Sequence, residues 1–429
     1  MRYHQNKRIF SLIIFLCILL TGYAQTTAIK NDSARVARFY KTIDQSLFWF
    51  SNQKNIQKGA EWLKVIESRE VRLLGFSADQ ALIDQLQVSV NGVENLSNPS
   101  KEKADQQITS LALRLLKFLH EGEPLFEYDA FNVNRDSLYI SQLIGSQRKG
   151  SVESMISTLD CKDNDYLVLK KYLRDSITDK TSVMARKIWL SMNYRRYLSA
   201  NDYKEMIIVN IPDARAVYYR NKLPTVKMRV VPGKKDDPTP ALASYITSII
   251  IFPPWKVPRS IAVNEILPKV QENLNYLEEN NFVVVDAKEN QVSPKELKWE
   301  EYDKDNFPYF FQQLPGPDNS LGVIKFNLKN PLNIYLHATS WQGAFDQKSR
   351  FLSHGCVRLE RPFELANAIL RGEIEREELA KVRDSIATRE YPIKRKVPTY
   401  LVYMPAVVKG KKVVLLNDIY GLINGNTDK

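Results

Sequence analysis

Cys356 stands in the stretch FLSHGCVRLERP (351–362), two positions after His354, two before Arg358 and 19 after His337. The chain has only three cysteines and four histidines in 429 residues, so this concentration asks for a chemical reason. A thiolate is a strong nucleophile, and a nearby imidazole is the usual means of generating it near neutral pH. His337 ends the strand-like run NIYLH, and two strand ends joined by the loop ATSWQGAFDQKSRFL can bring it against Cys356. In an extended segment His354, Cys356 and Arg358 share one face. Gly355 lets backbone amides approach a carbonyl oxygen, as an oxyanion hole requires. Ser353 offers a hydroxyl or a carbonyl to orient an imidazole, and Arg358 a planar fork for a carboxylate. The residues leave open which histidine takes the proton.

Two other chemistries compete. His337, His354 and Cys356 have the donor types of a catalytic zinc site with an open fourth position, but no further Cys or His stands close and a carboxylate such as Asp346 would have to join. Removal of an export segment would leave Cys161 and Cys356, for which one disulfide is the plain alternative in an oxidising compartment. The company of Cys356 favours a nucleophile, so two free thiols and no metal or cofactor are expected.

The elements that must position these residues fall into two kinds. Residues 33–200 read as mostly helical: Ile108, Leu111, Leu115 and Leu119 lie on one stripe, with Gly122 and Pro124 as the stop. Trp49, Trp62, Trp189 and Tyr194 read as core. From about 203 onward the runs EMIIVNIPD, RAVYYRN, TVKMRVVPG and YITSIIIFPP are short and β-rich, with RNK as a hairpin turn. A segment of about 254–320 then interrupts the strands, far longer than an ordinary loop, and reads as a helical lid. Strand signals resume at GVIKFNL and NIYLHAT. Helices are expected over RPFELANAILRG, closing at Gly372, and over EREELAKVRDSIATRE, and a hairpin turning at KGKK. The fold class is α+β: a helical scaffold over 33–200, then a catalytic domain over 203–425 carrying the lid.

The first 24 residues read as an export signal, with Arg2, Lys7 and Arg8 ahead of IFSLIIFLCILL and small residues for cleavage after Ala24. The apolar run is short for a membrane span, so membrane association is expected only if the signal stays uncleaved. Bulky Phe15 and Leu16 argue against a lipid anchor on Cys17. Cleavage would take the net charge from +12 to +9. A basic exported protein suits an anionic polymer or surface, such as a cell wall, and no nucleic-acid motif is present.

The stretch LHATSWQGAFDQKSRFLSHGCVRL resembles the signature of the L,D-transpeptidase family, a histidine followed about fifteen residues later by Ser/Thr-His-Gly-Cys. The segments VNIPDARAVYYRN, MRVVPGKKDDPTPALASYITSIIIFPPWKVPRSIAVNEILPK and LPGPDNSLGVIKFNLKNPLNIYLH, with the closing TYLVYMPAV, are similar to the large periplasmic branch of that family. The N-terminal FYKTIDQSLFWFS is similar, more loosely, to its helical scaffold. The resemblance implies a β-sandwich-like catalytic domain with a lid over the cleft. It implies acyl transfer on peptidoglycan stem peptides: Cys356 attacks the carbonyl of the third residue, terminal D-Ala leaves, and the acyl group passes to another stem peptide as a 3→3 cross-link. The alternatives are an L,D-carboxypeptidase or cross-link hydrolase with water as acceptor, or a non-catalytic wall-binding scaffold. Carried over by position, Cys356 is the nucleophile and His337 the proton acceptor. Ser353 orients His337, and the Gly355 and Cys356 amides form the oxyanion hole. His354 and Arg358 support the cleft and substrate carboxylates, and the acceptor site lies in the lid around Trp255 and Arg259. Acylation by carbapenem-type inhibitors is expected, with peptidoglycan as partner and the periplasm or cell envelope of a bacterium as location. Ala338 stands where many relatives have Gly, and Arg358 where others have Asn. Residues 145–195 lack the pattern of a glycan-binding module.

Overall fold

The computed structural model describes residues 32–146, 151–177, 179, 182–371 and 387–423. The export signal, Gly372 and residues 375–386 of the expected second helix lie outside the described residues. Arg389 and Glu390, read as the end of that helix, belong instead to a strand. The chain divides into two compact units: Met1–Pro124 with Val133–Asn201 and Val408–Val413, and Leu125–Asn132 with Asp202–Val407 and Val414–Lys429.

The first unit is built from helices α1 (32–43), α2 (Gln53–Glu67), α3 (Arg69–Leu73), α4 (Gln80–Asn91), α5 (Asn98–Glu121), α6 (Asp136–Gly145), α7 (Val152–Leu159), α8 (Asn164–Ser176) and α9 (Val183–Ala200). Side-chain caps start several of them: Asn52, Ser68, Asp79, Ser151, Asp163 and Ser182 each accept a first-turn amide. The Ile108, Leu111, Leu115 and Leu119 stripe of α5 is buried, as are Trp49, Trp62 and Tyr194. Trp189 is half-buried, and its indole donates to the Leu73 carbonyl at 2.8 Å. Among the described residues, no helix is long and apolar enough to cross a membrane.

The second unit is organised by a nine-stranded sheet in the order β1-β5-β10-β11-β12-β4-β3-β2-β13. Its strands are β1 (Tyr128–Asp129), β2 (Glu205–Asn210), β3 (Arg215–Arg220), β4 (Leu223–Val231), β5 (Leu242–Ile251), then, beyond the insert, β10 (Ile324–Leu328), β11 (Tyr335–His337), β12 (Val357–Leu359) and β13 (Arg389–Val402). β13 also pairs with β5, so the ladder from β5 round to β13 closes on itself. The RNK hairpin turns through positive φ at Asn221 and Lys222, and the expected C-terminal hairpin is β14 (Ala406–Lys409) with β15 (Lys412–Leu415). Strand alternation sorts the residues. Ile249, Ile251, Ile324, Phe326, Leu336, Val357 and Leu359 are buried as the core face. The opposite face carries Lys325, His337 and Arg358 in register with Ile250.

The insert between β5 and β10 carries the expected helices, α10 (Arg259–Ile261), a π-turn at Ala262–Ile266, α11 (Leu267–Glu272) and α12 (Tyr276–Glu279). It also holds a sheet of its own, β6 (Trp255–Lys256), β7 (Phe282–Val285), β8 (Gln291–Val292) and β9 (Phe310–Gln313), in the order β6-β9-β7-β8. Its separate core contains Ile261, Leu267, Val284, Trp299, Phe307 and Phe311. The ring centroids of Trp299 and Phe311 stack at 6.2 Å with planes 11° apart. These aromatics arrive without regular spacing in a polar stretch, so the sequence shows no period there although the segment is packed.

Candidate active site

β11 and β12 are parallel neighbours with Leu336 opposite Val357 and His337 opposite Arg358. Cys356, one residue before Val357, therefore falls level with Tyr335. Successive strand residues alternate faces, so Tyr335, His337, Cys356 and Arg358 share the face away from the core. On the other side of β11, antiparallel β10 sets Lys325 opposite His337. The result is a row of polar residues on an otherwise apolar ladder.

The turn into Cys356 is fixed by bonds from two loops. Gly355 has φ +101°, a conformation an L side chain rarely adopts, which ends the extended run before the cysteine. Its carbonyl accepts from the Thr239 hydroxyl at 2.7 Å, and that hydroxyl accepts from the Gly233 amide at 2.8 Å. The Tyr420 hydroxyl donates to the Gly233 carbonyl at 2.7 Å. Ser353 is buried, its hydroxyl donates to the Cys356 carbonyl and its own carbonyl accepts from the Lys234 amide at 2.9 Å. The Ser353 hydroxyl is thus turned to the cysteine backbone by the fold-back at Gly355.

The same turn separates His354 from the face it was expected to share. Its Nε2 lies 2.7 Å from the Glu265 carboxylate of the insert and 3.3 Å from Lys234 Nζ. Ala338 packs against Gly322: a Cβ at Gly322 would lie 2.7 Å from the Ala338 Cβ and 2.6 Å from the Thr339 amide.

His337 is buried and its Nδ1 has no hydrogen-bond partner. Burial, reinforced by the positive charges of Arg358 and Lys325, pushes its pKa down to about 3, against an opposing effect of the Ala338 and Leu321 backbone. The imidazole is therefore neutral, and burial beside two cations makes it a weak base in the absence of substrate. Burial pushes the Cys356 thiol up to about 11, opposed by the Tyr335 backbone and side chain and by the charge of Lys325. The Cys356 Sγ lies 3.7 Å from the Asn333 carbonyl. Burial lowers the Arg358 pKa, and its Nε is likewise buried without a partner, with Cζ 6.0 Å from the Trp341 ring centroid.

A cavity of about 380 Å³ lies over this face, lined by Cys356, His337, Ser353, His354 and Arg358 on the sheet side and by Trp255, Glu265 and Lys269 on the insert side. Trp255 thus reaches the cavity, where its side chain is in hydrogen-bond reach of Tyr335. Arg259 does not: its guanidinium sits 5.5 Å from the Phe307 ring and 3.5 Å from the Tyr309 carbonyl, drawn to the aromatic core of the insert. Asp346, the carboxylate a metal site would have needed, is paired with Arg229 at 2.9 Å. Among the described residues no three His, Cys, Asp or Glu gather as metal ligands. Cys161 and Cys356 are both free thiols. Sequence reasoning missed Tyr335 and Lys325. The period-two step from His337 back to Tyr335 was available, whereas Lys325 is revealed only by the β10–β11 register.

A family model for the L,D-transpeptidase catalytic domain, YkuD, matches residues 204–386. A Haemophilus influenzae protein named provisionally as an L,D-transpeptidase is 36% identical over 246 residues, covering 57% of this chain and 49% of its own length. The chain thus spans about half the length of the curated relative it matches. Among solved structures, an Enterococcus faecium L,D-transpeptidase with its cysteine changed to serine aligns with TM-score 0.22 and 10% identity over 47% of this chain and 51% of its own. The Ldtfm-avibactam carbamoyl enzyme aligns with TM-score 0.23 and 12% identity over 46% and 49%.

Proposed function

We propose that this chain, which carries an L,D-transpeptidase catalytic domain at residues 204–386, cross-links peptidoglycan stem peptides through a thioester on Cys356. The observation that carries the reading is the shared outward face: nucleophile, neutral imidazole and guanidinium line one cavity beneath the insert. In this reading Cys356 transfers its proton to His337 as its sulfur attacks the carbonyl of the third stem residue. Attack forms the C–S bond and a tetrahedral oxyanion; imidazolium then returns the proton to the D-Ala amine, and the peptide bond breaks as the oxyanion collapses to the thioester. The amides of Gly355 and Cys356 stabilise the oxyanion, and the turn at Gly355 is what aims them. Arg358 meets a substrate carboxylate, which would satisfy its open Nε and reduce the positive field on His337. An amine of a second stem peptide then attacks the thioester and gives its proton to His337; the C–S bond breaks, the Cys356 thiolate recovers that proton, and the 3→3 cross-link is left.

The acceptor enters beneath the insert near Trp255, while His354 holds the insert through Glu265. The helical segment 33–200 serves as scaffold for a catalytic domain over 203–425. Export to the periplasm or cell envelope, and acylation of Cys356 by carbapenem-type inhibitors, belong to the same reading. Incubation with purified tetrapeptide muropeptides tests it: dimers with a 3→3 linkage and free D-Ala are expected. Tripeptides alone, with no dimers, would make water the acceptor and the protein an L,D-carboxypeptidase.

A further inference from the structure

Lys325 is a half-buried lysine on β10 that no element of the reaction above uses. It stands opposite His337 in the β10–β11 register and opposite Ile250 of β5 on its other side. Its Nζ lies 4.2 Å from the centroid of the Tyr335 ring, on the face shared by Tyr335 and Cys356. The groups facing it are Tyr335 and His337 from β11, Cys356 and Arg358 from the β12 segment, and Glu390 from β13, opposite Ile250 on the far side of β5. Ammonium held over an aromatic face and away from water keeps its charge close at hand for an anion formed beside that ring. We infer that Lys325 is the positioning residue whose charge stabilises the Cys356 thiolate, while Arg358 is left for substrate. This rests on the reading of Cys356 as nucleophile.

The electrostatics of the site agree with this division. Burial lowers the Lys325 pKa, and the charges of Cys356 and Glu390 oppose that fall. Lys325 is also the cation that lowers the Cys356 pKa, to which Arg358 does not contribute, while Arg358 first and Lys325 second lower that of His337. Loss of the ammonium should raise the thiol pKa by about one unit, which cuts the thiolate about tenfold. The more basic thiolate is a better nucleophile, so the net slowing is about threefold.

The test is the pH profile of iodoacetamide alkylation at Cys356 in the full chain, read by peptide mass mapping for wild type, Lys325→Met and Lys325→Arg. The expected result is labelling about threefold slower at pH 8 in Lys325→Met, a profile displaced to higher pH by about one unit, and near-wild-type behaviour in Lys325→Arg. Buried Cys161 serves as the folding control; if Lys325→Met exposes it, Lys325→Gln takes its place in the comparison. A profile for the folded neutral variant that superimposes on wild type would overturn the assignment of Lys325. Transfer activity surviving in Cys356→Ala would instead overturn the nucleophile assignment on which it rests.

Discussion

Asp105 in the helical unit and His337 in the β-rich unit are both buried ionisable groups, but they are treated in opposite ways. The Asp105 carboxylate accepts from the Tyr40 hydroxyl at 2.5 Å and from the Phe48 and Phe50 amides at 2.9 and 2.8 Å. Burial raises its pKa and these three bonds pull it back. His337 has Nδ1 buried and unmatched, beside an Arg358 Nε in the same condition. A buried polar group that holds structure is saturated, because an unmade bond costs about 1–3 kcal/mol. His337 and Arg358 instead each keep a bonding site open, as the proposed exchange of partners during acyl transfer requires.

The contrast can be broken most severely at the thiol. Cys356→Ala should lower acyl transfer by on the order of 10⁴-fold or more while leaving the melting temperature nearly unchanged, measured by muropeptide turnover and calorimetry. His337→Gln should lower turnover by about 10²–10⁴-fold without loss of folding, since the native ring has no Nδ1 bond to lose. Asp105→Ala should do the reverse. It strands two buried amides, while the Tyr40 hydroxyl keeps Thr109 as its partner at 2.8 Å, so the helical unit should lose about 3 kcal/mol in denaturant titration while the transfer rate persists under native conditions.

The smallest effect is the pH dependence of stability. His337 is held near pKa 3 in the folded protein, below its ordinary value, so the folded state binds fewer protons than the unfolded one. Its contribution is present above about pH 6.5 and is lost as the pH falls toward 3, amounting to about 2 kcal/mol between pH 6.5 and 5. Thermal melts should show the catalytic unit softening over that interval, with the slope reduced in His337→Gln. An unchanged slope would mean that His337 is not held neutral by burial.

The helical and β-rich halves were legible because apolar residues recur at helical spacing in α5 and alternate in β5 and β10. Cys356 and His337 were legible because their spacing is local. What stayed hidden depends on contacts across the chain. The turn at Gly355 takes His354 to Glu265 and Ser353 to the Cys356 carbonyl, against an extended-strand reading. Arg259 looked like a cleft cation and sits on Phe307 instead. The sheet of the insert was concealed by irregularly spaced aromatics, and Lys325 by a strand pairing that no short motif records.

The most direct check on the thiol mechanism is mass mapping of the full chain after brief incubation with a stem tetrapeptide. It should show a tripeptide acyl group on the peptide containing Cys356, with one D-Ala released per adduct and no adduct in Cys356→Ala. A protein that releases D-Ala with Cys356 unmodified at every time point, or that carries the same adduct in Cys356→Ala, would contradict it.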